Sequence, residues 1–96
     1  MPEVSIVLAS VRIDDGPPLG FSHAVLVASA HEWSVALFET RPVQMARELC
    51  RVTLQTVDGE SLQGMARAER AATDGRFLLL AGWGTLEAAE AGVAAA

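Results

Sequence analysis

The sequence predicts a mainly β fold: a six-stranded antiparallel small barrel or curled sheet, with one short helix between the third and fourth strands. Three observations predict it. Runs of β-branched and apolar residues have strand length and are separated by turn chemistry. Two glycine turns, "VDG" and "TDG", have the same form. Read as three-residue bulged loops, they pair the last three strands in one consistent register.

The first strand is expected at 4–13, "VSIVLASVRI", and ends at "DDGPPLG", where stacked Gly and Pro permit neither helix nor central strand. Strands at 21–30 and 33–40 follow, joined by a turn at "AHE" that sets Val27 opposite Val35, Val25 opposite Leu37 and His23 opposite Glu39. "RPVQMAREL" starts with a proline suited to a first helical turn and supplies the short helix. The remaining strands are expected at 51–57, 62–70 and 76–86. Residues 1–88 form one β domain, and the alanine-rich 89–96 is a frayed tail.

The segment "SLQGMARAERAA" also has helical character, with Ser61 as a cap and Leu62, Met65, Ala66 and Ala72 on one side. Register decides for a strand. With Gly59 left-handed, Leu54 faces Leu62, Val52 faces Gly64 and Cys50 faces Ala66, so one face is apolar. The other collects Arg51, Thr53, Gln55, Ser61, Gln63 and Met65. The second turn continues the pattern, setting Ala68 opposite Leu80, Ala66 opposite Gly82 and Gly64 opposite Gly84.

That register leaves the last strand apolar on both sides. Its outer face carries Phe77, Leu79, Ala81 and Trp83, beside Met65, Arg67 and Glu69. Burial of each large apolar side chain is worth about 1.5–3 kcal/mol, so this face calls for a cover. Either the chain's own segments supply it or a partner does. Aromatics, Met and Arg are what an interface core is made of, which points to a homodimer or another protein subunit bound through Met65, Phe77, Leu79 and Trp83, with Arg67 and Glu69 at the rim. The inner face presents Gly64, Ala66, Ala68, Gly82 and Gly84, a shallow trough. Large residues from the facing layer fill it, with Trp33, Val35, Leu37 and Phe38 as candidates, or a small apolar ligand does, with His23 and Glu39 as its polar handle.

Composition narrows the partners. Twelve acids against seven bases give a net charge of −5, every base is Arg, and no basic patch interleaves with aromatics, so nucleic acid is not an expected partner. The chain is 51% hydrophobic with mean hydropathy +0.31, high for its size, which again points to a protein cover. No run approaches the ~20 apolar residues of a membrane helix, and Glu3 stands where an export signal has positive charge. The single Cys50 suits a reducing compartment, so a cytoplasmic location is expected. The absence of Lys and Asn, with seventeen Ala, fits a GC-rich bacterial genome.

Dedicated chemistry is sparse. His23 and Glu39 could act as a base or ligand pair, but a cross-strand pair at a strand end is the better account of them. His31 and Glu32 belong to a turn. Asp14 and Asp15 fit turn chemistry better than a calcium loop. Cys50 behaves as a small apolar group at the end of a helix, the wrong pole for a thiolate. No cofactor and no metal are expected. The chain therefore reads as a non-enzymatic protein-interaction or assembly module, a homodimer in the first instance, against the alternative of a small barrel that binds or converts an apolar molecule in its trough.

Overall fold

The computed structural model describes residues 4–14, 16–30, 32–40, 49–71 and 77–88. Along them run β1 (Val4–Ile13), β2 (His23–Ala28), β3 (Trp33–Phe38), β4 (Cys50–Thr56), β5 (Ser61–Ala71) and β6 (Phe77–Ala88). They close into a barrel in the order β1-β2-β3-β6-β5-β4, with β4 returning to β1 and each neighbouring pair antiparallel. Two meanders, β1-β2-β3 and β4-β5-β6, are thus joined first strand to first and last to last. The helix expected over 41–49 falls on positions outside the described residues at 41–48, as do the "TDG" turn and the tail 89–96.

The β4–β5 hairpin forms as its turn chemistry dictates. Gly59 is left-handed at φ 97°, Thr56 N–H donates to Glu60 O at 2.9 Å, and Gly59 N–H donates to Thr56 O at 3.0 Å. The register is Leu54↔Leu62, Val52↔Gly64 and Cys50↔Ala66, and β5 is a strand throughout. Val52, Leu54, Cys50 and Ala66 are buried, while Arg51, Gln55 and Gln63 are exposed. Faces alternate because strand side chains alternate.

The core joins these residues to Leu8, Val11, Ala24, Leu26, Trp33, Val35, Leu37, Leu78 and Leu80. In β1 the spacing of the buried residues is irregular: Leu8 and then Val11. A bulge explains it, since Leu8 pairs with Thr56 and Ser10 with Gln55, leaving Ala9 as the extra residue and resetting the alternation. Beyond β1 the chain folds back, with Leu19 N–H donating to Val11 O at 2.8 Å, and Leu19 and Phe21 pack against the core. Asp14 turns this corner at φ 54°. Its N–H donates to Arg51 O at 2.7 Å and its Oδ1 accepts from Arg51 N–H at 3.2 Å.

Two register expectations need correction. The β2–β3 pairs are His23↔Phe38, Ala24↔Leu37, Val25↔Ala36 and Leu26↔Val35, one residue away from the expected alignment. The connection is shorter by one: Ser29 N–H donates to Glu32 O at 2.8 Å, with two residues between them. This alignment puts Ala24, Leu26, Trp33, Val35 and Leu37 inside together, and the expected one would have split them across the faces. On β5–β6, Ala66↔Gly82 and Ala68↔Leu80 hold as expected, but Gly64 does not face Gly84. Met65 pairs with Trp83 and Gln63 with Glu87, so β6 spends four residues where β5 spends two. Gly84, at φ 79°, lies in that bulge, and Leu86 re-enters to pack on the core.

Candidate functional site

A ligand in the glycine and alanine trough would need room inside the barrel. Trp33 is buried at 5% exposure, and its ring lies over the two glycines of the trough. A Cβ on Gly64 would stand 2.8 Å from Trp33 Cζ2, and one on Gly82 would fall among the ring's Cδ2, Cε2 and Nε1 atoms. Trp33 Nε1–H donates to Gly84 O at 3.1 Å, which pins the bulge from inside. The glycines are the seat of an indole. The small-ligand reading of Gly64, Ala66, Ala68, Gly82 and Gly84 is corrected accordingly: Trp33 occupies the middle of that trough, and Ala68 and Gly84 are exposed beyond it.

The polar handle is not assembled either. His23 is outward and exposed, because its neighbour Ala24 points into the core. It pairs with Phe38 rather than Glu39, with ring centroids 5.9 Å apart. Glu39 lies past the last pair, exposed, at φ 52°. Cys50 is buried. Among the described residues no group of three or more His, Cys, Asp or Glu is placed to hold a metal, and no helix is long and apolar enough to cross a membrane.

The outside of the barrel is where apolar side chains remain in water. On β6, Phe77, Leu79 and Ala81 are half-buried and Trp83 is 62% exposed. Met65, paired directly with Trp83, is 36% exposed, and Arg51 pairs with Met65 from the other side. Arg67 and Glu69 lie alongside as an exposed ion pair, Nε to Oε2 3.6 Å. Such a pair contributes only about 0–1 kcal/mol.

These residues form two clusters along β6. At one end Trp83 and Met65 border a recess of about 360 Å³, opened by the bulge and lined also by Arg51, Gln63, Thr85 and Glu87. At the other, Phe77 packs on Phe38 with the rings tilted at 56° and centroids 5.4 Å apart, and His23 continues the ladder onto β2. Beside it runs an outward aliphatic row, Leu79, Ala36, Val25 and Val7, across four strands.

Phe38, a candidate for the inner face, is outward and 42% exposed, because it alternates with the buried Leu37 along β3. Val25 and Ala36 join it outside, where the register test that aligned β4–β5 places them when applied to β2–β3, and Val7 follows by its pairing with Val25.

No family model, curated protein or solved structure matches the chain.

Proposed function

We propose that the chain is a non-enzymatic protein-interaction and assembly module that forms a homodimer through the outer face of β6. Phe77, Leu79, Trp83 and Met65 are its apolar contacts, and Arg67 and Glu69 its rim. One observation carries the reading: Trp83, the largest side chain a protein has, stands 62% exposed directly beside a 36% exposed Met65. An aromatic side chain of this size offers about 150–250 Å² for burial. Covering the exposed share of Trp83 therefore gains about 3 kcal/mol at ~25 cal/mol per Å².

The topology supports a face-to-face mode. Each described strand has a hydrogen-bonded neighbour on both sides, so no sheet edge is offered for strand addition. Side chains must make the contact. A stable dimer buries about 800 Å² per partner, more than Trp83 and Met65 provide, so the polar residues around them share the interface.

Sedimentation equilibrium tests this. The wild type is expected at twice its chain mass at micromolar concentration, and Trp83→Arg at the monomer mass with an unchanged circular dichroism spectrum. A wild type that stays monomeric into the millimolar range removes the proposal.

A further inference from the structure

The outer surface has a second recess, about 400 Å³, on the β2–β3 side of β6 and away from Met65 on β5. Its floor follows from the register. Val27, Ser34 and Ala81 pair in one row across β2, β3 and β6 and alternate with the buried Leu26, Val35 and Leu80, so they face outward. Ser and Ala are too short to fill the space above the sheet. The row is also the last that β3 shares with β6: pairing stops at Ser34↔Ala81, and β6 runs on to Ala88. Hydrogen bonds hold the lining in place. Ser29 N–H donates to Glu32 O at 2.8 Å and closes the β2–β3 turn, and Trp33, which also lines the recess, is tied from within by its Nε1–H bond to Gly84 O. A volume of this size falls in the range of about 300–1,000 Å³ that takes small molecules.

The polar side chains set the chemistry of the ligand. Glu32 is exposed, and its carboxylate only accepts hydrogen bonds. Ser29 Oγ already donates its proton to Glu32 O at 3.3 Å, so toward the recess it too can only accept. Ser34 can do either. Glu32 is the one charged residue in the lining among the described residues, and the chain as a whole carries −5. Two acceptors in a negative field admit a cationic donor and turn away an anion.

We propose that this recess binds a small organic cation, an ammonium or guanidinium group on a short apolar chain, with the cation against Glu32 and Ser29 and the chain over Val27 and Ala81. A guanidinium suits it best, because its planar fork can donate to both carboxylate oxygens. The site is separate from the trough inside the barrel, which Trp33 fills, and from the dimer contacts, none of which lines it.

Titration of the full-length chain with n-butylguanidinium, followed by ¹H–¹⁵N correlation at constant ionic strength, tests this. Saturable shifts are expected at the amides of Ser34, Ala81 and Gly82, and none with n-butyrate, an anion of similar length. Glu32→Gln is expected to weaken binding about fivefold, the most that an exposed ion pair supplies. Ser34→Leu fills the floor and is expected to abolish binding. Glu32 is exposed, so Glu32→Gln carries the test should Ser34→Leu fail to fold. N-acetylarginine methylamide separates two sources of the same chemistry: tighter binding than n-butylguanidinium assigns the site to an arginine side chain of a partner, and weaker binding to a free cation. No saturation with n-butylguanidinium, equal binding of n-butyrate, or equal affinity in Glu32→Gln overturns the proposal, whether the chain is monomeric or dimeric.

Discussion

Gly82→Ala adds a single methyl group and should be among the most damaging small substitutions in the chain. The new Cβ would sit within the Trp33 indole, which is itself 5% exposed and closed in by the core. The ring cannot swing away without giving up the hydrogen bond from Nε1–H to Gly84 O, 3.1 Å. Overpacking of this kind costs about 1–3 kcal/mol, and a lost hydrogen bond adds ~0.5–1.5 kcal/mol. The sum is about 1.5–4.5 kcal/mol from a total that is roughly 5–15 kcal/mol for a domain of this size. Urea unfolding followed by tryptophan fluorescence should show a midpoint lower by about 1–2 M, given slopes of ~1–3 kcal/mol per M. Trp33→Leu clears the space, so in that background Gly82→Ala should be nearly neutral, a coupling of at least ~1 kcal/mol. Equal losses in both backgrounds would show that Trp33 does not seat on Gly82.

Two further outcomes follow from the corners of the barrel. Asp14→Ala removes the acceptor of Arg51 N–H and leaves a less tolerant residue at φ 54°, at a cost of about 1–2 kcal/mol. Asp14→Asn keeps both features and should stay within ~0.5 kcal/mol by the same urea assay, and equal losses would show that the negative charge is what matters. Glu39→Gly releases a left-handed non-glycine residue at φ 52° and should raise stability by about 0.5–1 kcal/mol. A loss on calorimetry would mean the Glu39 side chain holds the corner.

How much of this could be read in advance varied with the strand. Around Gly59 only one alignment kept Cys50, Val52 and Leu54 on one side with Leu62 and Ala66, so the β4–β5 hairpin and its faces were legible. In β2, "HAVLVA" is apolar at nearly every position, so a one-residue slip changes little in the pattern and the turn length went wrong. The bulge at Gly84 was legible only in part. The glycines flanking Trp83 suit a sharp bend of a closing sheet, but the buried indole that reaches across from β3 and fixes where the backbone opens was not visible in the sequence. The candidate surface followed suit. Met65 emerged from the legible hairpin and Trp83 from the strand paired to it, whereas Val25, opposite Ala36, depended on the register that slipped.

One tryptophan fills the barrel, and in the proposed dimer the other meets the partner copy. The two indole N–H resonances, recorded by ¹H–¹⁵N correlation over a dilution series, test it directly. One signal, from Trp33, is expected to resist hydrogen exchange and to be indifferent to concentration. The other, from Trp83, exchanges rapidly when dilute and shifts as the concentration rises. Two signals that exchange alike and ignore concentration would contradict it.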